Sequence, residues 1–153
     1  KPLKRLTVLD NVIASAFLRA ENKREAAELA EETIEFCGLT PYRDKFAKSL
    51  PIASRKRLEI TRALATRPKL LLLDETAAGL NPSEVEQAIE LIQKINESGI
   101  TIIIVEHIMR VIMSISHRIL AINHGAVIAE GTPAEVRSHP EVIAAYFGEE
   151  HRA

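Results

Sequence analysis

Apolar positions fall into two patterns along this chain. From residue 7 to about 67 they recur at three- and four-residue intervals among charged residues, the period of one face of a helix. Thr7, with Asp10 three residues later, reads as a capping box ahead of Val8, Leu9, Val12 and Ile13. The segment 23–37 places Ala26, Ala27, Ala30, Ile34 and Cys37 on one helical face, and Gly38 supplies a terminator. A further helix is predicted from Arg55, carrying Leu58, Ile60, Ala63 and Leu64 and stopping before Pro68, because proline disfavours helix in the residue before it. No segment of this half reads as a strand.

The second half alternates. Residues 70–73 are all leucine, 83–97 put Val85, Ala88, Ile89, Ile92 and Ile95 on one helical face, and 101–105 are β-branched and apolar. Strands apolar on both faces, joined through a crossover helix, predict a buried parallel sheet and an α/β fold. Residues 118–122 and 126–129 flank the turn residues Asn123, His124 and Gly125, which predicts an antiparallel hairpin beyond that sheet. Thr132, Pro133 and Glu135 give a cap, a first-turn proline and a capping partner for a short helix, and Ser138 with Pro140 predicts the start of another. No internal repeat, low-complexity tract or interdomain linker interrupts the pattern.

Composition narrows the classes. A chain of 153 residues, 46% hydrophobic and 27% charged, can bury the core of one globular domain. With a net charge of -1 and a pI near 6.6, it lacks the basic excess of a generic nucleic-acid binder, and no nucleic-acid partner is expected. A single cysteine, Cys37, cannot form an internal disulfide; it is expected to be a small buried residue within a helix, in a reducing cytoplasmic setting. The longest dense apolar run, 100–105, is far shorter than the roughly 20 residues needed to span a bilayer, so any membrane association is expected to be peripheral. The chain opens at Lys1 with a periodic segment already under way, and is expected to be part of something longer.

The strongest chemical signal is the leucine run followed at once by Asp74 and Glu75. Adjacent carboxylates at the C-terminal end of a buried parallel strand stand where open α/β sheets bind ligands. This is the layout of a Walker B motif, in which the first acid acts on magnesium and the second positions or deprotonates the attacking water. The same two acids would also serve to cap the next element. His107, at the end of the next predicted strand, is by itself more often a structural strand-end histidine than a catalytic one.

After Glu75 come Thr76, Ala77, Ala78, Gly79, Leu80, Asn81 and Pro82, and after one helix and one strand Glu106 and His107. That order resembles the ATP-hydrolysing subunits of ABC transporters. The resemblance implies a P-loop NTPase core whose D-loop includes Ala78, Gly79 and Asn81, with Asp74 as the magnesium ligand, Glu75 as the catalytic carboxylate and His107 as the switch histidine. Leu50, Pro51, Ile52, Ala53 and Ser54 occupy the place of the signature loop, whose family form is close to Leu-Ser-Gly-Gly-Gln. Only Leu50 matches it. The helix that continues through Arg57, Leu58, Glu59, Ile60, Arg62, Ala63 and Leu64 is similar to that of subunits serving branched-chain amino acid uptake, as are residues 4–12 and 131–149.

In the family the signature loop binds the γ-phosphate of ATP held by a partner subunit, through amide hydrogens and the positive helix end. Ala53 in place of a glycine, and Pro51 without a hydroxyl or an amide hydrogen, predict a weakened contact of this kind, or one compensated by Ser54 and Arg55; a plain helix N-terminus capped by Ser54 is the other reading. Thr76 stands where the family usually has proline, and Ile108 where it usually has aspartate. The sequence contains no Gly-x-x-x-x-Gly-Lys-Ser/Thr, the loop that cradles phosphates.

The organisation implied is a helical subdomain at 1–67, the second half of a parallel-sheet catalytic core at 68–131, and a C-terminal helical tail at 132–153. As a full subunit it would use ATP and Mg2+, pair with a second ATPase subunit, and act with integral-membrane permease subunits on the inner face of the cell membrane. The chain alone is expected to bind ATP poorly and to expose apolar strand surface that favours self-association. A truncated or degenerate subunit acting as a non-catalytic regulatory or assembly partner is the alternative.

Overall fold

The computed structural model describes residues 1–147. Residues 148–153 of the predicted tail lie outside the described residues. The chain divides into two compact units, Lys1–Val105 and Glu106–Ala153.

In the first unit side-chain caps set the starts of two helices, the first of them as predicted. The Thr7 hydroxyl accepts from the Asp10 amide at 3.0 Å while the Asp10 carboxylate accepts from the Thr7 amide at 3.4 Å, opening helix α1, Val8–Ala16. Helix α2, Lys23–Phe36, starts at Asn22, whose side chain accepts from the Glu25 amide at 3.0 Å. Gly38 terminates it at φ 67°, a conformation open to glycine at little steric cost. Cys37 is buried as predicted but caps the C-terminus of α2 instead of lying inside it; burial pushes its thiol pKa up.

Helix α3 spans Ile52–Leu64, three residues earlier than the predicted start at Arg55. Pro51, at φ -53° and ψ 157°, takes the N-cap position, so Ser54 lies within the first turn and does not cap it. Helix α1 packs against both α2 and α3. The shared core holds Val8, Val12, Ala30, Ile34, Leu39 and Leu58. Two short 3-10 turns that periodicity did not reveal, Thr40–Tyr42 and Ala47–Ser49, connect α2 to α3. Just ahead of the second, Phe46 forms an isolated bridge with Thr7.

Asn11 is fully buried in this core. Its Oδ1 accepts from the Leu3 amide at 2.7 Å, and its Nδ2 donates to the carbonyls of Leu3 and Thr7 at 3.0 and 2.8 Å. One side chain thus ties together main-chain groups of the segment leading into α1.

The parallel sheet forms as predicted. Strand β1, Leu70–Asp74, is joined through helix α4, Pro82–Glu97, to strand β2, Thr101–Val105, with register running from Leu70 opposite Thr101 to Asp74 opposite Val105. Burial on both faces does not follow. Leu71 and Leu73 are buried whereas Leu70, Leu72, Ile103 and Val105 are exposed, Leu72 at 68%. Among the described residues β1 has β2 as its only strand neighbour, and its burial alternates with period two. The expected uncovered apolar strand surface is present.

The first element of the second unit is helix α5, Met109–Ile115, which periodicity did not reveal because it is only seven residues long. Strands β3, Ile119–Asn123, and β4, Ala126–Gly131, form the predicted antiparallel hairpin. His124 and Gly125, at φ 48° and 79°, make its two-residue turn. Helix α6, Pro133–Ser138, carries the predicted capping box between Thr132 and Glu135. The Thr132 amide and hydroxyl donate to the Glu135 carboxylate, holding its pKa below the usual carboxylate range. Ser138 does not start the next helix; its hydroxyl donates to the Ala134 and Glu135 carbonyls, and His139 precedes the short helix α7, Pro140–Val142, which runs into a π-turn at Ile143–Phe147. The Tyr146 hydroxyl ties this tail to the hairpin by donating to the Ile122 carbonyl at 2.7 Å.

Replacing Asn11 by alanine removes the side-chain acceptor of the Leu3 amide in a part-buried bond, and Asn11→Ala is expected to destabilise the helical unit by about 1–2 kcal/mol. Urea denaturation followed by helical circular dichroism measures it; an unchanged midpoint would show that water replaces the side chain at no loss.

Candidate functional site

The site is built where β1 ends. Asp74 is the last residue of the strand, opposite Val105, and its side chain is solvent-exposed. Glu75 prolongs the ladder by one bond, its amide donating to the Val105 carbonyl at 2.9 Å. It then leaves the strand in the left-handed region, at φ 47°. For a residue with a Cβ that conformation is disfavoured, and it persists only where surrounding bonds impose it.

Those bonds come from two directions. The Glu75 carbonyl accepts from the Ala78 amide at 3.3 Å, closing a turn, and from the ammonium group of Lys56 on α3 at 2.7 Å. A second turn follows, in which the Leu80 amide donates to the Ala77 carbonyl at 3.2 Å. Gly79 lies in it at φ 76°, a value that explains the glycine without any steric crowding. Ala77 is buried and anchors the turn. Asn81 ends it by capping α4: its side-chain oxygen accepts from the Glu84 amide at 3.0 Å, and the Glu84 carboxylate accepts from the Asn81 amide at 2.9 Å. Of the residues assigned to the D-loop, Ala78 and Gly79 therefore stand in a tight turn beside Glu75, and Asn81 has its oxygen committed to the helix.

The signature-position residues separate into two roles. Leu50 is buried in the helical core, so it offers main-chain groups, and its carbonyl already accepts from Arg55 Nη2 at 3.1 Å. Pro51 is exposed, Ile52 is exposed at 56%, and Ala53 and Ser54 are half-buried in the first turn of α3. No side chain caps that turn, leaving the amides of Ile52, Ala53 and Ser54 as the positive end of a helix.

His107 lies in the second unit, two residues along the chain from Val105 and just ahead of α5; it is exposed, and its amide donates to the Glu106 carboxylate at 3.3 Å.

Among the described residues no group of three or more histidine, cysteine, aspartate or glutamate side chains converges to hold a metal. A lone exposed Asp74 nevertheless fits magnesium, which dehydrates reluctantly and is commonly held by one or two carboxylates with water and substrate phosphates filling the remaining positions.

Known proteins resemble this chain in sequence and in fold. The family profile described as "ABC transporter" matches residues 1–78. The chain belongs to the ABC transporter family. A second profile, "Branched-chain amino acid ATP-binding cassette transporter", matches residues 126–152 of this ABC-family chain. Among curated relatives, the high-affinity branched-chain amino acid transport ATP-binding protein BraF of Pseudomonas aeruginosa is 46% identical over 88% of the chain and 52% of BraF. The chain thus spans about half the length of the curated relatives it matches. Among solved structures, the ADP conformation of MJ1267, an ATP-binding cassette of an ABC transporter, matches with a TM-score of 0.82 and 29% identity, covering 96% of this chain and 65% of that one. A dimeric post-hydrolysis state of the cassette MJ0796, bound to ADP and Pi, matches with a TM-score of 0.76 and 26% identity over 87% and 59%. The fold class is that of an ABC ATPase cassette.

The bond from Lys56 to Glu75 was not legible in the sequence. Nothing in the run Arg55, Lys56 and Arg57 singles out one side chain for the strand end, and only the return of the chain into β1 brings the Lys56 ammonium group to it.

If the turn geometry forces Glu75 into its left-handed conformation, Glu75→Gly should stabilise the first unit by about 0.5–1 kcal/mol, the relieved strain exceeding the entropy that glycine adds to the unfolded chain. Chemical denaturation of the two proteins checks this; a loss of stability would mean that Glu75 is not strained.

Proposed function

We propose that this chain supplies the hydrolytic carboxylates of an ATP-binding subunit of an ABC importer for branched-chain amino acids, with residues 1–67 as its helical subdomain, 68–131 as the second half of its catalytic core and 132–153 as its tail. The observation that carries the reading is the pair Asp74 and Glu75 at the C-terminal end of β1, in a chain of this family, with a tight turn through Gly79 directly behind them. The similarity to BraF supports the branched-chain solute class.

In this reading Asp74 would take one coordination position on Mg2+, which when bound beside ATP neutralises charge on the phosphate oxygens. Glu75 would hold a water by accepting one of its protons and so aim its oxygen at the γ-phosphorus. The His107 imidazole would hydrogen-bond the γ-phosphate, where a lone carboxylate would repel it. The first-turn amides of α3, at Ile52, Ala53 and Ser54, would face the γ-phosphate of ATP on a second ATPase subunit, while Ala78, Gly79 and Asn81 line the same interface. Pro51 and Ala53 keep the open helix end and remove a hydroxyl and a glycine approach, so that contact is weaker than with the family's usual loop. The phosphate-cradling loop is not among these 153 residues, and the chain by itself is proposed to bind ATP poorly. Integral-membrane permease subunits would receive the motion at the cytoplasmic face of the membrane.

The altered signature region favours a second reading, a non-catalytic subunit that assembles with a complete partner. Substitutions in the complete subunit separate the two. Glu75→Gln should retain ATP binding and lower hydrolysis by roughly 10²-fold or more, the scale of losing a general base. Asp74→Asn should weaken the magnesium dependence, since a neutral amide is a poorer ligand for a hard cation. Unaltered turnover in the first variant would sink the catalytic reading, and an unchanged magnesium titration in the second would remove Asp74 from the metal.

For His107→Ala the expected result is slower hydrolysis with little loss of nucleotide affinity, measured as turnover beside equilibrium binding. Equal losses in both would make His107 a structural residue.

A further inference from the structure

The left-handed peptide of Glu75 needs something to hold it, and the turn itself holds it weakly. Its carbonyl is 3.3 Å from the Ala78 amide, a long bond, but 2.7 Å from the Lys56 ammonium group, a short charge-assisted one. Lys56 comes from α3, whose first turn is the signature position, and its bond to Glu75 closes a loop 19 residues apart in sequence. The amide of Glu75 is fixed on the other side by Val105. The peptide is therefore clamped between the neighbouring strand and the signature helix.

We infer that Lys56 is a positioning residue for the Glu75 carboxylate, and that it links the signature helix to the hydrolytic carboxylate of the same subunit. The inference rests on the reading of Glu75 as the residue that holds the attacking water. With the amide held by Val105, the φ of Glu75 sets the direction of its Cα–Cβ bond, so freeing the carbonyl lets φ relax from its left-handed value and swings the direction in which the side chain leaves the strand. Water alignment suffers while nucleotide binding, carried elsewhere, does not. Displacement of the first turn of α3 when it engages a phosphate would pass to Glu75 through this one bond. Methionine at position 56 keeps the apolar stem and removes the donor, whereas arginine keeps a donor of similar reach.

The test uses the complete ATP-binding subunit carrying Lys56→Met, Lys56→Arg or Glu75→Gln. Amide hydrogen exchange over residues 75–80 is read by mass spectrometry, beside kcat and equilibrium Mg-ATP binding. In Lys56→Met, exchange of the turn amides should rise about tenfold and kcat should fall about fivefold to tenfold, the scale of one hydrogen bond to a charged group, with binding unchanged within twofold. Lys56→Arg should recover most of both. Unchanged exchange in Lys56→Met overturns the clamp, and faster exchange with unchanged kcat overturns the positioning role, provided Glu75→Gln is inactive. If Glu75→Gln turns over normally, the reading of Glu75 fails instead, and faster exchange in Lys56→Met still supports the clamp.

Discussion

Parallel pairing of β1 with β2 is the constraint on which the rest of the site depends. Its register puts Asp74 opposite Val105, and the next bond of the same ladder, from the Glu75 amide to the Val105 carbonyl, carries the pairing one residue past the strand. From there the chain must turn at once, and the left-handed φ of Glu75 is how it does so. Two carboxylates consequently stand side by side at the strand end, one in extended backbone and one in a strained turn. A slip of one residue in the strand would exchange Leu71 and Leu73 for Leu70 and Leu72 on the buried face, leucine for leucine, so the ladder with β2 and not the apolar pattern fixes which acid stands where.

Around that end the helices act as supports. The capping box of Asn81 and Glu84 stops the turn after Gly79 and starts α4, which delivers the chain to β2 in parallel orientation. On the other side α3 feeds β1 and returns a lysine to the turn it generates. The helical core behind α3 includes α1, and the buried carboxamide of Asn11 holds the segment leading into α1, so groups far from the carboxylates support the helix that carries Lys56.

Much of this was legible in the sequence because it is local. Thr7 and Thr132 each lie three residues before an acid, and each forms the reciprocal bonds that this spacing allows; Asn81 and Glu84 do the same ahead of a helix expected one residue later. The leucine run, the β-branched run and the helix between them have periods that do not overlap, and the His124-Gly125 turn needs positive φ at both positions. What sequence missed is either short or non-local. Helix α5 is too brief to show a period, Ser54 resembles a cap but lies behind a proline that claims the position, and the face of β1 at Leu70 and Leu72 is apolar yet uncovered among the described residues. Leu50 matches the signature pattern, and the structure places it in the core, where its side chain serves packing.

Direct location of the metal tests the central claim, that the end of β1 is the metal and water site of an ATPase. In the complete subunit, Mn2+ with ATP in place of Mg2+ would broaden nuclear magnetic resonance signals according to distance from the ion. Broadening centred on the amides of Asp74 and Glu75, and lost in Asp74→Asn, is the result this account predicts. Signals of Asp74 and Glu75 left sharp while others broaden would contradict it.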